Sequence, residues 1–256
     1  MTGKTVKTLA AAYLATIAFL ATAADEAGPV PRMADGKPDL SGVWWTGGDL
    51  GSANYGSTTD RSAGLQYNLY TDLYTADAKA RMATLSDKDD PTLLCKPTAF
   101  GTLSVRLFDV GTLGQIMASP DMMVFLQETF HGYQLIPTDG REHRDFLPPS
   151  YRGDAVGHWE GDTFVVETKN FTDDTWMFAE GGVSFHSDQM RVVERYNMLD
   201  SNSMTVDATV YDPVVLTEPW VVPTKRLVKA PFDQLLPLRC ESTETAVLMQ
   251  NAQGGN

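Results

Sequence analysis

Four histidines and one carboxylate set in an apolar alternation are the side chains here best suited to moving protons: His131, His143, His158, His186 and Glu194. His131, in Phe130-His131-Gly132-Tyr133, and His186, in Phe185-His186-Ser187, sit among aromatics, where burial favours the neutral imidazole. Paired with a carboxylate and an arginine, such a histidine is the minimum equipment for acid–base catalysis: a base removes a proton, a cation steadies the developing anion, and a second group returns the proton. The predicted proton-transfer groups are Glu194 and His131 or His186, with Arg106 or Arg141 as the anion partner. Tyr133, Tyr151, Trp159 and Trp176 are the predicted cavity wall. A structural reading competes at every position: Glu194 as half of an ion pair with Arg106 or Arg141, the aromatics as core, and Asp139-Gly140-Arg141 as a turn.

His158 adjoins Trp159 and reads as structural or exposed. His143-Arg144-Asp145 is the nearest local approach to a metal site, since a strand puts His143 and Asp145 on one face, but two ligands are too few to predict one. H-E-x-x-H, G-x-S-x-G, a phosphate-binding glycine loop and G-x-G-x-x-G are all missing from the sequence, so neither a metal nor a nucleotide cofactor is expected. The chemistry left is cofactor-independent proton transfer, of the lyase or isomerase class, on a small aromatic or polycyclic molecule. The alternative is a non-catalytic carrier of a small apolar ligand.

The elements that must position these groups are mostly strands. Gln115–Ser119, Asp121–Glu128 and Thr129–Pro137 are rich in β-formers, and Val156–Trp159 and Thr163–Thr168 flank the hairpin signal Glu160-Gly161-Asp162. Met190, Val192, Glu194, Tyr196 and Met198 share one face of a strand; Met204, Val206, Ala208 and Val210 share one face of the next. Setting Met198 opposite Met204 makes the two apolar faces coincide and places Glu194 opposite Ala208, on the apolar side. One helix is predicted over Leu73–Leu85, with a thin apolar face, after a long Gly- and Ser-rich loop over Gly47–Ala63. The expected fold is mainly β: an antiparallel, lipocalin-like barrel with a loop- and helix-rich N-terminal extension.

Ala34-Asp-Gly-Lys-Pro-Asp-Leu-Ser-Gly-Val-Trp44, Thr138-Asp-Gly-Arg141, Pro149-Ser-Tyr151 and Gly157-His-Trp-Glu-Gly-Asp-Thr-Phe-Val-Val-Glu-Thr168 together resemble a large group of uncharacterised bacterial secreted proteins. That group resembles this chain also in a Ser-Glu-x-x-x-x-x-Glu-Arg pattern, here Ser187-Asp188 followed by Glu194-Arg195. A second resemblance is to lipocalin-like barrels, which carry Gly-x-Trp on their first strand, as Gly42-Val43-Trp44 does here. It implies fold class and no chemistry.

Lys4 and Lys7 precede an apolar run, Leu9–Leu20, that closes on Ala21-Thr22-Ala23, the pattern of a cleavable secretory signal over residues 1–23. At about 12 residues the run is short of the ~20 that a membrane span needs. The expected location is therefore periplasmic or secreted. A net charge of -13, made more negative when the two signal lysines are removed, repels nucleic acid and anionic lipid. Aromatic content and 43% hydrophobic residues fit one large domain over residues 38–250, with a flexible leader at 24–37 and a disordered tail at 251–256. Cys95 and Cys240 are the only cysteines, and in an exported chain they read as a disulfide worth roughly 4–5 kcal/mol in chain-entropy terms.

Overall fold

The computed structural model describes residues 27–45, 70–99, 114–128, 132–144, 146–177, 182–231 and 233–235. Within them nine strands form one antiparallel sheet: β1 (Gly42–Trp45), β2 (Gly114–Ser119), β3 (Met122–Gln127), β4 (Tyr133–Pro137), β5 (Asp154–Glu160), β6 (Thr163–Lys169), β7 (Arg191–Met198), β8 (Ser203–Tyr211) and β9 (Trp220–Lys229). Their order is β4-β3-β2-β1-β9-β8-β7-β6-β5, so the first and last strands lie side by side in the middle and the sheet curls until β4 nears β5. The result is a nearly closed barrel, the fold class that the alternating strands predict.

Side-chain contacts mark the seam between β4 and β5. Gln134 Nε2 donates to the Arg152 carbonyl at 3.1 Å, and the Arg152 guanidinium reaches the Gln127 side chain. Gly157 is required there, because a Cβ would come within 2.6 Å of the Phe164 ring and 3.0 Å of Ile136. In the β7–β8 hairpin Met198 pairs with Met204 and Glu194 with Ala208, the register that hydrophobic alternation dictates.

The inward-facing side chains form two clusters. One gathers Trp44, Ile116, Met123, Phe125, Ile136, Phe164, Tyr196, Met204 and Leu227. The other, toward the opposite end, gathers Val192, Ala208, Val210, Trp220 and Val222 from the strands, with Tyr70, Tyr74, Trp176 and Phe185 from connecting segments. Helix α1 (Ala76–Met82) lies against this second cluster through Ala78; Leu73, Met82 and Leu85 are only partly buried. It is shorter than predicted because Thr75 caps its start, accepting from the Ala78 N–H, and 3₁₀ turns follow.

Residues 27–37, expected to be a flexible leader, are instead docked on the barrel. Arg32 pairs with Asp162 at 2.6 Å in the β5–β6 turn, Met33 packs on the core, and Gly28 and Ser201 exchange hydrogen bonds at the β7–β8 turn. Anchors of this kind, an ion pair and backbone groups meeting turns, leave no hydrophobic period to read. The segments 1–26, 46–69 and 236–256, which hold the predicted signal, the whole of the long loop and the tail, lie outside the described residues.

Candidate functional site

A groove of about 800 Å³ opens where β5 to β8 end, on the outer side of the barrel wall. Its wall comes from strand alternation. Asp154 and Lys169 are opposite each other on β5 and β6, as are Arg191 and Tyr211 on β7 and β8; all four point away from the interior and line the groove. His143 and Arg144 close one side, Asp188–Met190 another, and Asp212, Pro213 and Leu216–Pro219 the rest.

Asp154 is fixed first. Gly153, just before it, has φ +68°, and a Cβ there would fall 2.5 Å from the Lys169 carbonyl, so only glycine lets the chain turn into β5 at this point. The segment carrying His143 and Arg144 folds over the strand end and supplies donors to the buried carboxylate. Arg144 gives its backbone N–H at 3.0 Å and its guanidinium Nε at 2.9 Å, with Nη2 also in contact, and His143 Nδ1 lies 3.1 Å from Oδ2. Burial alone raises the Asp154 carboxyl, but these donors together outweigh it and hold the group below the usual aspartate value.

A carboxylate can only accept, so Nδ1 of His143 carries a proton toward Asp154, while Nε2 is buried and makes no hydrogen bond. That atom lies 3.4 Å from Glu167 Oε1, while the other oxygen of Glu167 accepts from Arg191 Nη1 at 2.8 Å. The Arg191 guanidinium stacks 4.0 Å from the centre of the Tyr211 ring. Asp154, His143, Glu167, Arg191 and Tyr211 thus form a continuous polar chain along the groove wall.

The predicted site residues are scattered by comparison. Arg141 is half-exposed and bound to Asp139 at 2.6 Å within its own turn, away from buried Glu194. Glu194 faces inward as expected and accepts from the Tyr196 hydroxyl at 2.9 Å. His186 is fully buried: its Nδ1 donates to the Ser187 carbonyl and its Nε2 faces the Thr175 hydroxyl, each at 2.9 Å. Burial pushes its pKa below 6.5, so it is neutral. His131 and Arg106 lie outside the described residues. Of the predicted wall, Tyr133 is 64% exposed and Tyr151 also lies on the surface, whereas Trp176 is core and Trp159 packs on Phe164 with ring centres 5.1 Å apart. The aromatics do not enclose one cavity together, because those facing inward pack on each other, as Phe125 and Tyr196 do at 5.2 Å.

Sequence reasoning weighed His143 only as a metal ligand with Asp145, which lies outside the described residues, and it missed Asp154, Glu167, Arg191 and Tyr211. The available signal was Gly153-Asp154 at a strand start, where a buried aspartate demands donors from another segment. Among the described residues no group of three or more His, Cys, Asp or Glu side chains is arranged to hold a metal ion. None of their helices is long and apolar enough to cross a membrane. Comparison with protein-family models, with curated proteins and with solved structures gives no match.

Proposed function

We propose that this protein binds a small organic molecule in the outer groove and acts on it by cofactor-independent proton transfer, as a lyase or isomerase. The observation that carries the reading is the His143–Asp154 pair. Asp154 fixes the imidazole's orientation, and Nε2, buried without a hydrogen-bond partner beside Glu167, is the atom through which a proton would be taken from, or returned to, a bound molecule once Glu167 moves aside. Glu167, 35% exposed, is the adjacent group able to receive that proton or to swing aside. The groove's size is within the ~300–1,000 Å³ usual for small-molecule sites.

Export to the periplasm or beyond belongs to the same proposal and is supported by the n-region lysines and short apolar run. The Cys95–Cys240 bridge would suit that compartment: no free cysteine occurs among the described residues, and Cys240 lies outside them. A second reading, a carrier of a small apolar ligand, is favoured by the barrel and its buried aromatic clusters.

Native mass spectrometry of protein purified from its own host identifies the bound molecule, and turnover of that molecule separates the two readings. His143→Gln is expected to keep binding while losing conversion by about 10²–10⁴-fold. Full conversion by this variant would remove His143 from the mechanism, and binding with no conversion by the unaltered protein would make it a carrier.

A further inference from the structure

We infer that the molecule taken by the groove carries a single carboxylate, docked on the Nε and Nη2 edge of Arg191; the inference rests on the groove being the ligand site. Arg191 is held on two sides, by the Tyr211 ring beneath its guanidinium and by Glu167 at Nη1. Its Nε and Nη2 have no protein acceptor among the described residues, and the side chain is 38% exposed. A guanidinium so oriented presents two parallel N–H donors that match the two oxygens of a carboxylate, with little rotamer freedom left to lose.

The charge around this fork decides the class of anion. Asp154 is answered by Arg144 and His143. Asp212 is answered by the Ser187 N–H and hydroxyl, both at 2.7 Å, and by the Val214 and Val215 N–H groups. The charge of Asp154 is offset by a guanidinium, whereas Asp212, met by neutral donors, keeps its charge. Lys169 also lines the groove but is engaged within the protein, so Arg191 is the cation that faces the anion. Against this stand Asp188 and Glu218 on the lining, in a chain of net charge -13. Their repulsion doubles for a dianion such as phosphate, whereas the Arg191 fork is filled equally well by a monoanion. Pro213 and Pro219, both exposed on the lining, offer apolar surface for the rest of the molecule, as an aromatic or alicyclic acid requires.

Benzoate and benzamide share a ring and differ in the charge of one end. In titrations read from the ring signals of Tyr211 and His143, benzoate is expected to bind the unaltered protein at least ~10-fold more tightly than benzamide. Added salt should weaken only benzoate. R191K, which keeps the charge but not the fork, should weaken benzoate ~10-fold and leave benzamide unchanged. Equal affinity for the two compounds, or unchanged benzoate binding by a folded R191K, would overturn the carboxylate assignment and leave the groove as a binding site. If neither compound moves the Tyr211 or His143 signals, the groove reading fails with it.

Discussion

The barrel interior and the outer groove treat polar groups in opposite ways. Inside, the two titratable groups are tied to the protein, the Glu194 carboxylate to Tyr196 and His186 to Ser187 and Thr175, with aromatic rings packed edge to face nearby. In the groove Arg191 is positioned without being used up: it is oriented through Nη1, which leaves its fork for something else, while His143 is oriented through Nδ1 and its Nε2 lies buried without a hydrogen bond. Polarity alone therefore says little about where a ligand goes. What matters is whether the orienting contacts leave a reactive edge behind.

Substitutions can break that contrast region by region. The largest effect is expected inside: Phe164→Ala empties the centre of one cluster and should cost about 3–5 kcal/mol in denaturant unfolding. Asp154→Ala, at the border of the two regions, leaves buried His143 and part of Arg144 without their acceptor. It should cost about 2–3 kcal/mol and abolish conversion together, by unfolding and by turnover measured on one preparation. Tyr196→Phe removes one donor from Glu194, and a loss of about 1–2 kcal/mol with groove binding unchanged is expected. Arg141→Ala, on an exposed turn, should change stability by less than ~0.5 kcal/mol and leave both regions as they are.

Acid sharpens the same division. The His186 pKa is depressed in the folded state, so its contribution is complete above 6.5, the ordinary value, and falls as the pH drops below it, because the unfolded chain takes the proton first. The Asp154 pKa is also depressed, so its contribution holds above 3.8 and is lost as the pH falls through the folded value. Melting temperature followed with pH should therefore decline in two stages, the upper one abolished by replacing His186 and the lower one reduced by replacing Asp154, since Glu160, Asp162 and Asp174 are also held low by their cationic partners.

Strand periodicity made the barrel legible, down to the pairing of Glu194 with Ala208, because burying one face of a hairpin admits a single register. The groove was not legible in the same way. Its members come from a loop (His143, Arg144), from strand ends (Asp154, Lys169, Arg191, Tyr211) and from the segment after β8, and no local spacing links residues that meet only when the sheet curls. Arg141 and Tyr133 were drawn into the predicted site because their types suit a cavity, yet the first closes a turn on Asp139 and the second points outward from β4. Glu194 was placed on the right face, but its bond to Tyr196 is a property of side-chain reach that alternation does not carry.

Methionines report on both regions at once. Met190, 1% exposed in the second core cluster, borders the groove, while Met123 and Met204 are fully buried in the cluster around Phe164. Methyl spectra of methionine-labelled protein, recorded while benzoate and benzamide are added, test the division between closed interior and open groove most directly. A shift of the Met190 methyl with Met123 and Met204 unmoved is the predicted result; shifts at Met123 or Met204 with Met190 unmoved would place the ligand inside the barrel and contradict it.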